Sequence, residues 1–125
     1  MAADTAALGS DFARALAAKD FERIRALMHP ELDFRGMTPR RSWEAADPQR
    51  LVDDVLVKWF EPSDEIEALD HLETDAFADR ARVGYRFLVR NPDGRFVVEQ
   101  QAYLAEHDGR IGWMRVLCSG FRPVE

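Results

Sequence analysis

Between Arg80 and Pro123 the chain reads as three consecutive antiparallel strands, Arg82–Arg90, Arg95–Glu106 and Arg110–Arg122. Two turns join them, Asn91-Pro92-Asp93-Gly94 and Asp108-Gly109, both rich in residues that accept left-handed backbone. No other stretch restricts the fold as much. Side chains alternate across a strand, so each turn fixes a register and each register fixes which residues share a face. Any chemistry carried by this unit has to sit on one of its two faces.

The remaining sequence is sufficient for one domain, 1–125, built around this meander. Its 125 residues are 46% hydrophobic and 32% charged, a balance that supports a buried core. The formal net charge of -6 argues against a general nucleic-acid or anionic-membrane binder. No apolar run approaches the roughly 20 residues of a membrane span, and Met1–Ser10 lacks the basic start and apolar middle of a signal peptide. Cys118 is the single cysteine, which excludes an internal disulfide and a multi-cysteine zinc site. A cytoplasmic protein with no metal and no cofactor is the expectation.

Ahead of the meander, Leu8, Phe12, Ala15 and Leu16 form one apolar stripe, which predicts a helix over Asp4–Ala18. Asp20 is placed to cap a second helix, Phe21–Met28, stopped by His29-Pro30. Glu31–Met37 reads as a short strand, and Thr38–Trp43 as a loop carrying Arg40, Arg41 and Trp43. Asp47-Pro48 is a cap followed by proline at the first helical position. It opens a helix over Gln49–Phe60 with Leu51, Val52, Val55, Leu56, Trp59 and Phe60 along one side. Ile66–Glu73 is a further strand. Helices gathered in the N-terminal half against an antiparallel sheet make a two-layer α+β fold.

In this element order the chain resembles the NTF2-like superfamily, the cystatin-like α+β cone shared by nuclear transport factor 2, ketosteroid isomerases, limonene epoxide hydrolases and SnoaL-like polyketide cyclases. The resemblance covers nearly the whole chain. It rests on FARALAAKDFERIRALMHPELDF (Phe12–Phe34) and on DGRIGWMRV (Asp108–Val116) opening the last strand. It implies a curved antiparallel sheet packed on three helices, a mostly apolar pocket inside the cone, and a dimer contact on the convex side. Ketosteroid isomerases carry their catalytic base near Asp33, but aligning Phe12–Phe34 on that family puts Phe34 at the base and Phe12 at the oxyanion-binding tyrosine. Where limonene epoxide hydrolases place a last-strand aspartate, this chain has Val116. One scaffold here hosts unrelated activities.

The turn Asn-Pro-Asp-Gly favours a three-residue loop with Asn91 opposite Arg95. Counting outward, one face then carries Val83, Tyr85, Phe87, Val89, Val97, Glu99, Gln101, Tyr103, Met114, Val116 and Cys118. The opposite face, with Arg86, Trp113, Leu117 and Phe121, is assigned to a homodimer contact. A two-residue loop would slip the register by one, pair Arg86 with Glu99 and send Glu99 to solvent.

In the bulged register Glu99 is the sharpest catalytic candidate, a carboxylate between Phe87 and Cys118 that desolvation would tune for acid–base work. Asp33 and His71 are further candidates. Asp33 also reads as a solvated partner of an arginine, and His71 as structural, because its strand alternates poorly. Tyr85, Gln101, Tyr103, Phe87, Trp43, Trp59, Met114 and Cys118 are the candidate ligand-binding residues. His29 at a helix end and His107 at a turn suggest no catalysis. Two readings stand: binding of a small hydrophobic or polycyclic molecule in the cone, with isomerase or cyclase chemistry through Glu99, or a non-catalytic dimeric module. They differ in whether Tyr85, Phe87, Tyr103, Trp59 and Phe60 fill the interior.

Overall fold

The computed structural model describes residues 2–124. Among them are three helices and seven strands. Helix α1 spans Ala2–Ala17 and α2 spans Phe21–Leu27, where the Asp20 side chain accepts from the Arg23 N–H at 3.1 Å as anticipated. Helix α3 begins with Pro48–Arg50, capped by the Asp47 carboxylate on the Arg50 N–H at 2.8 Å, and ends with Val57–Trp59. Between them Leu51–Leu56 is a π-helical segment, with the Val57 N–H reaching back to the Val52 carbonyl. Such a turn closes five residues back, so side chains four and five positions apart share a face. Leu51, Val52, Val55 and Leu56 are all buried for that reason.

The strands are β1 (Met28–Thr38), β2 (Arg41–Ala45), β3 (Glu65–Phe77), β4 (Arg80–Asn91), β5 (Gly94–His107), β6 (Arg110–Cys118) and β7 (Arg122–Pro123). They form one sheet in the order β2-β1-β6-β5-β4-β3, with β7 paired to the start of β5. The expected sheet was wholly antiparallel. The structure differs at β1 and β6, which run parallel with Phe34 beside Met114 and Gly36 beside Val116. The stretch read as a loop is a hairpin: β1 turns at Pro39-Arg40, with Arg40 at φ 73, and returns as β2. The last expected strand is broken, since β6 stops at Cys118 and the chain bends through Gly120 (φ 78) before β7.

The main correction concerns register. Asn91 pairs with Gly94 and Arg86 with Glu99, so the β4–β5 connection is the two-residue loop. Asn91 is held in it from both sides: its Oδ1 accepts from the Asp93 N–H at 2.8 Å, and its Nδ2 donates to Asp64 at 2.9 Å. Burial decides the outcome. This register puts Val98, Gln100, Ala102 and Leu104 inside, each 0–1% exposed, and leaves Glu99, Gln101 and Tyr103 outside. The other register would have buried a carboxylate in place of Val98 and Leu104, the costlier arrangement.

The next hairpin closes with His107 opposite Arg110, as the turn predicted, but a bulge at Gly112 shifts β6 by one residue. That bulge restores Met114, Val116 and Cys118 to the inner face. A Cβ on Gly112 would come within 2.6 Å of the His107 Cβ, so glycine is needed where His107 folds over it.

The core lies between the sheet and the helices. Phe12, Leu16 and Ile24 from α1 and α2, and Leu51, Leu56 and Phe60 from and just after α3, meet Tyr85, Phe87, Leu104, Ile111 and Met114. Gly36 lets the benzene edge of the Trp59 indole come close to β1, since a Cβ there would sit 2.8 Å from the ring. Gly36→Ala is expected to destabilise the fold by about 1–3 kcal/mol through overpacking. Urea unfolding measures this, and an unchanged midpoint would contradict the contact.

Candidate functional site

The inner face of the sheet is lined almost entirely by apolar side chains, and its polar groups are concentrated around β4 and β5. Tyr85 on β4 and Gln100 on β5 are paired across the two strands, and the Tyr85 hydroxyl donates to Gln100 Oε1 at 2.6 Å. Cys118 on β6 is the cross-strand neighbour of Gln100 and accepts from the Gly120 N–H at 3.4 Å. Burial, and secondarily the Cys118 thiol, push the Tyr85 phenol well above the ordinary tyrosine value. The phenol is therefore a donor and not a base at neutral pH. Two buried donors, Gln100 Nε2 in this pair and Trp59 Nε1 over β1, have no hydrogen-bond partner among the described residues.

Around this polar pair the interior is filled. Phe12, Leu16, Tyr85, Phe87, Val98, Leu104 and Met114 are each 0% exposed, and Phe60 2%. Surfaces so completely covered leave no water-sized space beside these side chains. Phe60 packs edge-on to Phe87 at 5.6 Å, Phe12 edge-on to Tyr85 at 6.3 Å, and Trp59 against Phe34 at 6.0 Å. Trp43 stands edge-on to Trp59 at 6.2 Å, carries the Arg41 guanidinium on its ring at 3.6 Å, and donates to Thr38 Oγ1 at 2.8 Å.

A sizeable open concavity lies on the outer face. A groove of ≈ 540 Å³ runs over β2, β1, β6 and β5, lined chiefly by Met37, Trp43, Gln101, Tyr103, Arg115 and Leu117. Met37 and Leu117 are more than half exposed, at 56% and 62%. Sequence reasoning did not find it, because it assigned Trp43 to a loop and Tyr103 to the interior. Across β3, β4 and β5 the outer face also carries a series of ion pairs. Arg86 lies 3.7 Å from Glu99 and 3.8 Å from Asp70, Arg90 lies 3.0 Å from Glu67, and Arg82 lies 3.7 Å from Glu73.

Of the candidate catalytic residues, none is in the interior. Glu99 is on the outer face with Arg86, because the register is the two-residue one. Asp33 is on the outer face of β1, 3.3 Å from Arg115, while its neighbour Phe34 turns inward. His71 is exposed, beside Glu73 at 3.7 Å. Gln101 and Tyr103 follow Glu99 outward, whereas Tyr85, Phe87, Met114 and Cys118 are inside as expected. Phe121 is not on the outer face. It packs against Phe60 at 5.9 Å and Phe96 at 5.7 Å. Gln100 was missed, although the alternation Val98, Gln100, Ala102, Leu104 marks it as inward once the turn is set aside.

A seven-stranded curved sheet closed over three helices, with its first and sixth strands parallel, defines an α+β cone. The fold is NTF2-like. It matches a proposed polyketide cyclase from Xanthomonas campestris at a TM-score of 0.74, with 13% identity over 93% of this chain and 90% of that one. It also matches a proposed isomerase from Bacillus subtilis at 0.75, with 12% identity over 93% and 86% of the two chains. An NTF2-like protein of unknown function from Mesorhizobium loti superposes at 0.67 with 21% identity, over 95% and 93%. No family model and no curated protein sequence matches the chain. The likeness is therefore one of fold.

The raised Tyr85 value has a sign that can be tested. A folded-state pKa above the unfolded one adds stability below the unfolded value, and that stability is lost as pH rises past about 10. Urea midpoints of the native protein are expected to fall between pH 8 and 11 more steeply than those of Tyr85→Phe. At pH 8 the same variant is expected to be less stable by about 1–3 kcal/mol, because Gln100 Oε1 loses its donor. Glu99→Gln, by contrast, is expected to leave stability within about 0.5 kcal/mol of the native protein, as for an exposed pair.

Proposed function

We propose that this protein is a homodimeric association module with a closed interior, its contact formed by the convex face around the Met37–Leu117 groove. The observation that carries the reading is a filled interior beneath an exposed apolar groove on the outer face. The core side chains are at most 9% exposed, whereas Met37, Tyr103 and Leu117 stand 56%, 38% and 62% exposed around one outer groove. Trp, Tyr, Met and Arg are the residue types enriched at protein contacts. The groove also carries Arg35 and Arg115 beside Glu44. Both signs on one patch suit a two-fold contact, in which each subunit offers the same surface to the other.

Light scattering at micromolar concentration is expected to give twice the 14.3 kDa chain mass. Leu117→Glu combined with Met37→Glu is expected to give a folded monomer, since both residues are exposed in the single chain. A native protein that is monomeric under these conditions would overturn the proposal.

A second reading, ligand binding inside the cone, is favoured by one observation, the unpartnered Gln100 Nε2 and Trp59 Nε1. A compact apolar molecule carrying an acceptor oxygen would satisfy these donors if the packing around Trp59 and Phe60 opened to admit it. Among the fold neighbours are a proposed cyclase and a proposed isomerase. In this reading a polycyclic ketone raises the melting temperature of the native protein and not of Gln100→Leu. No shift with any member of a panel of such compounds would leave the closed module standing alone.

A further inference from the structure

The turn between β5 and β6 and the junction between α2 and β1 lie far apart in the sequence, but the parallel pairing of β1 with β6 brings them together. Met28 sits beside Ile111, so His29 and the pair His107-Asp108 meet at one end of the sheet. The imidazoles stack with centroids 3.8 Å apart and planes 12° from parallel. Both Nε2 atoms approach the same carboxylate oxygen, Asp108 Oδ2, at 3.9 Å from His29 and 3.6 Å from His107. One donor atom from each of the three residues lies within 4.8 Å of the others.

We propose that His29, His107 and Asp108 form a site for a divalent transition metal of the zinc class, with a fourth position open to water. Two imidazoles and one carboxylate are a borderline-soft donor set suited to Zn²⁺, Ni²⁺ or Cu²⁺ and not to Mg²⁺ or Ca²⁺. Tetrahedral ligands at about 2.1 Å from zinc stand roughly 3.4 Å apart. The measured separations to Asp108 Oδ2, 3.6 and 3.9 Å, need to contract by only a few tenths of an ångström. The stacked rings have to unstack to share an ion, since their planes are 12° from parallel and a tetrahedral ion needs the two lone pairs roughly 110° apart; His107, half exposed on the turn, has the room to swing.

The backbone holds the three groups in place. The Gly112 bulge clears the space that His107 occupies, 2.6 Å from where a Cβ would be. Asp108 takes φ 52 in the turn, and the Gly109 N–H donates to Glu106 at 2.7 Å to fix it. His29 is the inner member, its side chain 13% exposed, against 52% for His107 and 83% for Asp108. The metal would therefore sit on the surface with an open side.

Binding also has a local signature. His29 Nδ1 now accepts from the Glu31 N–H at 3.0 Å, which puts the proton of a neutral ring on Nε2. Coordination through Nε2 moves that proton to Nδ1 and passes the Glu31 N–H to water, at an exposed position where the exchange is cheap.

Zn²⁺ titration of the chelator-treated full chain, followed by calorimetry and by amide NMR, tests the site. About one ion per chain is expected, with the Glu31 amide shifting in step with binding. His107→Ala and Asp108→Asn, both on the exposed turn, are each expected to weaken binding at least about tenfold. His71→Ala, which alters the remaining histidine, is expected to leave binding unchanged. Failure to bind at about 100 µM Zn²⁺, or binding that His107→Ala and Asp108→Asn leave intact, would overturn the proposal.

Discussion

The structure depends on keeping one carboxylate out of the core. β5 has two faces, and only one of them, Val98, Gln100, Ala102 and Leu104, can be enclosed without burying Glu99. An unpaired buried carboxylate costs several kcal/mol, far more than the difference between two hairpin loop types. The hydrophobic partition therefore chooses the register, and the turn adapts to it. Once β5 is placed, Glu99 falls beside Arg86, Tyr85 meets Gln100, and Tyr103 joins the outer groove. The interior polar pair, the outer ion-pair ladder and the proposed contact surface all follow from that choice.

What could be read beforehand divides along the same line. The inner face of β4 was legible because large apolar residues fall at every second position, Val83, Tyr85, Phe87 and Val89. β5 was misread because the Asn91–Gly94 turn was given more weight than the alternation of the strand it starts. The inner residues of β6 were nonetheless correct, since the unforeseen Gly112 bulge reversed the shift a second time. The available signal was Gly112 itself, an isolated glycine inside a strand pattern, and in the folded chain His107 lies over it. The β1–β2 hairpin was hidden for a different reason. Its turn places an arginine, Arg40, at φ 73 where glycine or asparagine would have announced it.

The candidate site changed more than the fold did. Sequence placed Glu99 inside the cone and Arg86 on a face assigned to a homodimer contact. In the folded chain Glu99 lies outside beside Arg86, and what remained inside is a neutral Tyr85–Gln100 pair in a packed core. Exposed pairs of this kind contribute about 0–1 kcal/mol each, so their main effect is on the character of the surface. They leave the apolar groove as the part of the convex face with the most to gain from being covered. His29 and His107 were each unremarkable in sequence because only a long-range strand pairing brings them together.

That long-range pairing also bears on the order in which the molecule forms. Asp33 and Arg115, joined across β1 and β6, are 82 positions apart. During synthesis β1 emerges early with one edge paired to β2 and the other bare, and it has no partner there until β6 has left the ribosome. The β1–β6 pairing that joins the two halves of the sheet spans most of the chain. Folding of that kind is governed by loop closure more than by local propensity. Until β6 is available, that edge of β1 presents unpaired N–H and C=O groups, the kind of strand edge that invites pairing with another chain.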